Sequence, residues 1–184
     1  MNVVTNVSAG KPKIGGAIFV ADIGATLPTN PTSDLVGFTG LGYVSEDGLT
    51  NMNDMTINDI HAWGGDLVLT TLEEKTDAFQ FTLIEVLNRD VLKVIYGDEN
   101  VEVTNNVIGV TVNSEELPEK SWVFDMIMRE NRLKRIVVPR ARVTEIGDVV
   151  YTDNDAVGYE ITITAMPDVN GNTHYEYISP TGVL

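Results

Sequence analysis

The chain has 184 residues, enough for one domain with a substantial hydrophobic core. Its formal net charge of −15 lacks the basic footprint of an ordinary nucleic-acid binder, and the absence of cysteine excludes disulfides and cysteine-based metal or redox chemistry. The first residues contain no apolar leader, and no apolar run is long enough to span a membrane, so we expect no membrane association.

Short β-strands dominate the predicted elements, because apolar and polar residues alternate over many short runs. In chain order the predicted strands are residues 17–20, 40–44, 67–71, 79–83, 107–112, 122–128, 133–138, 149–152, 159–165 and 173–178. Turn residues separate several of them, including Glu130-Asn131 and Asn170-Gly171. This pattern is typical of antiparallel strands with one buried face.

One helix is predicted in the middle of the chain. Asn88 is a suitable N-cap and Gly97 a suitable stop. The apolar residues between or beside them recur at helical spacing, namely Leu87, Val91, Val94 and Ile95. Because no βαβ alternation surrounds this helix, we predict a mainly β fold, an antiparallel β-sandwich or barrel with one flanking α-helix.

The predicted domain spans residues 15–178, between an N-terminal arm at residues 1–14 and a C-terminal tail at residues 179–184, which both lack periodicity. Within the domain, residues 45–66 are rich in Gly, Asn and Asp, and we predict that they form a long loop outside any regular element. The loop carries six candidate interface residues, Met52, Met55, Ile57, Ile60, His61 and Trp63.

These apolar side chains are too few to offset the entropy of ordering so long a loop. We therefore predict that the loop and the N-terminal arm are mobile in the free subunit and become ordered against a partner. The alternative is a loop that folds back over its own sheet as a small satellite core. The sequence alone does not separate these two interpretations.

Basic charge is concentrated in a second candidate interface. Half of the twelve Lys and Arg residues fall within fourteen positions, as Arg129, Arg132, Lys134, Arg135, Arg140 and Arg142, and none follows. A basic band on an acidic body suits contact with the acidic surface of a neighbouring copy. A solvated hairpin face is the alternative.

No catalytic or metal-binding pattern survives inspection. His61 and His174 are far apart in sequence, and Gly40-Leu41-Gly42 lacks the third glycine of a dinucleotide-binding loop. The acidic run beginning at Asp153 lacks the later ligands of a calcium loop. We therefore expect neither an enzyme nor a bound cofactor or metal.

Several runs in collinear order resemble the major tail proteins (tail tube proteins) of long non-contractile-tailed bacteriophages and related prophages. They are residues 38–50 (FTGLGYVSEDGLT), 62–66 (AWGGD), 81–88 (FTLIEVLN), 94–98 (VIYGD) and 156–165 (AVGYEITITA). The resemblance extends from about Gly15 to Ile178. Tubes of contractile tails share the fold, so the tail type is left open.

The resemblance implies a tail-tube fold and a structural role in the virion tail, with assembly in the host cytoplasm. Hexameric rings would stack into a tube, with the long loop and terminal arms between rings and DNA passing through without specific binding. The other implied partners are the tape measure, distal tail and tail terminator proteins. An alternative is a β-sandwich binding module, such as a capsid decoration or carbohydrate-binding protein, which needs a surface platform from Trp63 and Trp122.

Overall fold

A computed structural model describes residues 2, 4–13 and 16–180 of the chain. Within these residues the fold is mainly antiparallel β with one α-helix, as predicted. The strands are β1 (Lys11–Pro12), β2 (Ile18–Asp22), β3 (Thr39–Gly40), β4 (Val44–His61), β5 (Leu67–Leu83), β6 (Val101–Thr104), β7 (Val107–Val110), β8 (Lys120–Ile127), β9 (Leu133–Ile146), β10 (Tyr159–Ala165) and β11 (Tyr175–Ile178), and the helix is α1 (Arg89–Tyr96).

Nine of the strands form one continuous antiparallel sheet in the order β3-β2-β8-β9-β10-β5-β4. The strands β1 and β2 pair with successive parts of β8, and β10 and β11 pair with successive parts of β9. Strands β10 and β11 therefore lie end to end along β9. Their junction is next to the point where β5 extends beyond β10. The strands β6 and β7 form a separate hairpin, whose turn residues Asn105 and Asn106 both have positive φ.

The sheet curls around one hydrophobic core. Phe79 of β5 stacks on Phe124 of β8 with ring centroids 5.2 Å apart, and Phe81 meets Trp122 edge to face at 5.9 Å. Because β9 and β10 separate β5 from β8 in the sheet, these contacts require strong curvature. Such close aromatic pairs add to the energy of burial and fix how the two ends of the sheet face each other.

Helix α1 packs on this core, as predicted. Asn88 accepts a hydrogen bond from the N–H of Asp90 at 3.0 Å, and the N–H of Gly97, at φ 97°, donates to the Lys93 carbonyl at 2.9 Å. The helix buries Val91, Leu92, Val94 and Ile95. Leu87 is exposed, so its predicted place in the buried stripe is wrong.

Several predicted strands differ from the structure. Residues 149–152 form no strand, because they lie in the loop between β9 and β10 without a ladder partner. Residues 67–71 and 79–83 belong to one long strand, β5, and β6 was not predicted. The predicted strand at 40–44 is interrupted at Gly42, whose φ of 74° is incompatible with a continuous strand.

Part of the N-terminal arm lies on the body of its own chain. Lys11 and Pro12 pair with β8, and the Arg129 guanidinium donates to the Val4 carbonyl at 3.0 Å. Positions 1, 3 and 14 of the arm, the domain boundary at residue 15, and positions 181–184 of the C-terminal tail lie outside the described residues. Ser179, at the start of that tail, is buried and bonded to Leu133.

Candidate functional site

The segment predicted as a long loop is half of a protruding β-hairpin. The strand β4 covers Val44–His61 and pairs with β5, so the prediction that residues 45–66 belong to no regular element is wrong. Register shifts near residues 45–48, 56–57 and 60–61 interrupt the pairing with β5. The apolar residues of β4 fall on both faces, and Asn and Asp occupy many of its positions. The sequence of β4 therefore lacks the alternation of apolar and polar residues by which a strand is predicted.

Every residue from 53 to 75 is exposed, and we call this stretch the arm. Its two strands continue outward from the core, where Leu49 pairs with Phe81 and Asn51 with Phe79. A β-strand rises about 3.3 Å per residue, so the part of β5 from Leu67 to Asp77 extends about 33 Å from the body. The arm is therefore longer and more exposed than an ordinary surface hairpin.

The predicted interface residues divide between the two faces of the hairpin formed by β4 and β5. Strand β4 alternates, so Met55, Ile57 and His61 share the face that continues the core side. Met52 and Ile60 lie on the opposite face. Cross-strand partners share a face, which adds Leu72 opposite Ile57 and Leu69 opposite Ile60. Both faces therefore carry apolar side chains.

The tip of the arm is the turn at residues 62–66. Trp63 is fully exposed there and packs on nothing in its own subunit. The alternative of a satellite core folded onto the chain's own sheet is therefore wrong. The sequence interpretation also missed the apolar arm residues of β5, because strand propensity at 67–71 gives no sign that both faces lack cover; they are Leu67, Val68, Leu69 and Leu72.

A polar cluster fixes the base of the arm. Asp77 is only 2% exposed, and its carboxylate accepts hydrogen bonds from Asn51 Nδ2 at 2.9 Å and Thr173 Oγ1 at 2.6 Å, while His174 Nδ1 lies 2.5 Å away. The His174 ring also meets Phe79 edge to face at 5.4 Å. We call these four polar residues, Asn51, Asp77, Thr173 and His174, the base cluster; they tie the two arm strands to the segment before β11.

The base cluster changes the acidity of its buried carboxyl. Burial raises the pKa of Asp77, but the hydrogen bonds from Thr173, His174 and Asn51 outweigh burial, so the pKa lies below its ordinary value of 3.8. The carboxylate is therefore ionised at neutral pH, where it accepts all three contacts. Nothing in the sequence joins residues 51, 77 and 174, because only the strand pairing brings them together.

The basic band does not form one free surface. Each of its six residues lies within 3.9 Å of a carboxylate of its own chain. Arg140 and Arg142 share Glu119, and hydrogen bonding from Arg140 lowers the pKa of that carboxyl. Lys134 pairs with Glu176 at 2.7 Å. Five residues of the band are partly exposed, so their contact with a neighbouring copy stays a prediction. They are Arg129, Arg132, Lys134, Arg140 and Arg142.

The prediction that Arg135 belongs to the interface is wrong, because this residue is 1% exposed and cannot contact a neighbour. Its guanidinium forms a bidentate pair with Asp125, at 2.6 and 2.7 Å, and donates to the carbonyls of Asn30 and Ser33 at 3.1 and 2.7 Å. The side chain points to the outer face of the sheet, where it holds the loop after β2. Its role is structural.

The described residues contain no cluster of His, Asp and Glu side chains that could hold a metal ion. No helix among them is long and apolar enough to cross a membrane. Trp122 is 1% exposed and lies in the core, so it cannot form a surface platform with Trp63. The alternative of an aromatic binding platform therefore loses the feature on which it depended.

Comparison with known proteins gives one match to a family. A family model described as phage tail tube protein matches residues 11–183. Among solved structures, the chain is similar to one described as the cryo-EM structure of the anti-feeding prophage cap (AFP tube terminating cap), with 10% identity and a TM-score of 0.39, over 97% of this chain and 100% of that chain. No curated protein matches.

Proposed function

The chain belongs to the phage tail tube protein family, and from this premise we propose that it self-assembles into stacked, hexameric rings that form the tube of the virion tail. Family membership makes it a structural component of a phage tail. The ring, the stacking and the passage of DNA are the proposed part.

The arm carries this proposal. Apolar side chains on both faces, among them Ile57 and Ile60, have no cover from their own chain, and Trp63 stands free at the tip. Exposed apolar patches on a soluble protein mark interaction surfaces, and uncovered strands favour association. An arm that is apolar on both faces needs neighbours on both sides, which stacked rings of identical subunits would supply.

The charge of the chain supports a passive conduit. With 27 acidic and 12 basic residues, the subunit repels a phosphate backbone on average. Five of the six residues of the basic band remain at least partly exposed but are already paired with carboxylates of the same chain, which removes the footprint that phosphate binding requires. We infer that DNA passes through an acidic lumen without specific binding.

The remaining parts of the proposal follow from the family. Assembly would take place in the host cytoplasm, and the finished tube would lie in the virion tail. The further partners would be a tape measure protein inside the tube and distal tail and tail terminator proteins at its ends.

Negative-stain microscopy of the purified protein tests the proposal. We expect rings or long hollow filaments, whose fraction rises with protein concentration. A protein that stays as single particles at high concentration, or that retains duplex DNA at physiological salt, contradicts the proposed function.

One variant separates an interface role of Trp63 from a folding role. Trp63→Ala should leave the melting temperature of the monomer nearly unchanged, because the side chain has no contacts to lose, and should block elongation of the tube. Leu87→Ala, which removes an exposed apolar side chain outside the arm, is the matched control. A large fall in monomer stability with assembly intact would show that Trp63 belongs to the folded subunit.

A further inference from the structure

The tip of the arm is a tight turn at residues 62–66 that carries Trp63 as an apolar knob. The N–H of Ala62 donates to the Asp66 carbonyl at 2.7 Å, and the N–H of Gly65 donates to the Ala62 carbonyl at 3.0 Å. Gly64 and Gly65 adopt φ of 118° and 98°, which a side chain would strain. These bonds define the turn that presents Trp63.

The body of the domain contains a mainly apolar groove of about 780 Å³, between the loop after β2, strand β9, the loop after β10 and strand β11, with Glu119 and Arg140 also in its lining. Its lining includes Ile23, Leu27, Pro28, Pro139, Val169 and Tyr177. The volume falls within the range of pockets that enclose a small ligand, and prolines and tyrosines are rigid partners for an indole ring.

Hydrogen bonds hold the far wall of this groove. Tyr175 Oη donates to Asp168 Oδ2 at 2.6 Å, and Asp168 Oδ1 accepts from the N–H groups of Asn170 and Asn172 at 2.8 and 3.0 Å. These bonds, led by the one from Tyr175, lower the pKa of Asp168. Val169 projects fully exposed from the same loop, at the rim.

The arm of the same chain cannot fill this groove. Tyr175 follows His174, which contacts Asp77 at the base of the arm, so the groove lies at the end of the arm opposite to Trp63. The tip stands about 33 Å or more beyond that base. The tip of a second copy, which carries the fully exposed Trp63, is therefore the occupant to consider.

We propose that the tip at residues 62–66 of one subunit docks in the groove of another copy, with Trp63 enclosed by its prolines and tyrosines. The contact is head-to-tail: the knob and the groove are different surfaces of the subunit, so contacts propagate rather than close into a two-fold dimer. This inference rests on the proposed self-assembly and assigns the surface that receives the arm.

Cross-linking tests the contact cleanly, because the natural chain has no cysteine. The double variant Ala62→Cys, Val169→Cys places one thiol at the tip and one at the rim of the groove. After assembly and treatment with a short bismaleimide, a denaturing gel should show a ladder of three or more cross-linked chains. The matched control, Ala62→Cys with Leu87→Cys, keeps the tip thiol and moves the other to an exposed site outside the groove; it should give no ladder.

The outcomes distinguish the two proposals. If microscopy shows tubes of the double variant but no ladder forms, or if the control gives an equal ladder, the groove is not the receiving surface and the proposed function stands. If the wild-type protein forms no assembly at any concentration, both proposals fail. A ladder specific to the tip and groove pair supports both.

Discussion

The inner and outer parts of strand β5 differ in cover although they are one strand. From Ala78 to Leu83 the strand lies between β10 and β4 and packs on the core, where Phe79 and Leu83 are fully buried. From Leu67 to Lys75 it pairs with β4 alone, and every residue is exposed. Apolar side chains occur in both parts, so composition does not explain the difference.

The difference shows which part of the fold is complete in one subunit. The inner part packs in the hydrophobic core of the same chain, where Phe79 stacks on Phe124 of β8. The outer part offers Ile57 and Leu72 on one face and Ile60 and Leu69 on the other, and a two-stranded hairpin is at best marginally stable alone. We propose that its cover comes from other subunits on assembly.

The largest expected contrast compares one truncation in each part. Phe79→Ala removes a ring stacked on Phe124 and should lower the free energy of unfolding by about 3–5 kcal/mol. Leu72→Ala on the arm should change it by less than about 0.5 kcal/mol, because the side chain has little packing to lose. Urea unfolding of the monomeric variants measures both. Similar losses would mean that the arm is packed in the free subunit.

Substitutions of charged residues should show the same contrast between buried and exposed positions, with a slightly smaller difference in the free energy of unfolding. Asp125→Ala leaves the Arg135 guanidinium buried without its partner, which should cost about 3 kcal/mol. Glu176→Ala breaks the more exposed pair with Lys134 and should cost less than about 1 kcal/mol. Equal costs in urea unfolding would show that the Arg135 side chain reaches solvent, and would restore it to the basic band.

The sequence predicted the body of the domain better than the arm for a physical reason. Strand β10 was predicted with its observed bounds, because its alternation reports one buried and one exposed face, and the caps Asn88 and Gly97 act locally. The arm has no single buried face, so its strands carry no period-2 signal. Contacts such as Asp77 with His174 depend on long-range pairing, which local patterns do not encode.

Hydrogen exchange tests whether the arm becomes ordered on assembly. In the free subunit, amides of residues 53–75 should exchange faster than those of residues 79–83, because a hairpin without cover opens locally. In the assembled tube the arm amides should become protected, while the core amides change little. The amides of residues 4–13, in the N-terminal arm, should also gain protection on assembly, but less than those of residues 53–75. Equal protection of residues 51–63 in both states would contradict the prediction.

The smallest expected effect lies at the boundary between the two parts, in the base cluster. Because the pKa of Asp77 is lowered in the folded protein, its ionised form contributes stability that is fully present above the ordinary carboxyl pKa of 3.8. That contribution is lost as the pH falls through the lowered folded value. Acid should therefore weaken the attachment of the arm base to the segment before β11.

Asp77→Asn keeps the shape of the side chain and removes the titrating group. Its free energy of unfolding should be lower than that of the wild type at neutral pH, and the difference should shrink as the pH falls below 3.8, because the wild-type carboxylate becomes protonated there. Asp54→Asn, an exposed change farther out on the same hairpin, is the matched control and should follow the wild type. Urea unfolding at a series of pH values measures the three curves.

A constant offset between Asp77→Asn and wild type down to the lowest pH would mean that the hydrogen bonds at Asp77 do not depend on its charge. The arm would then be anchored by shape alone.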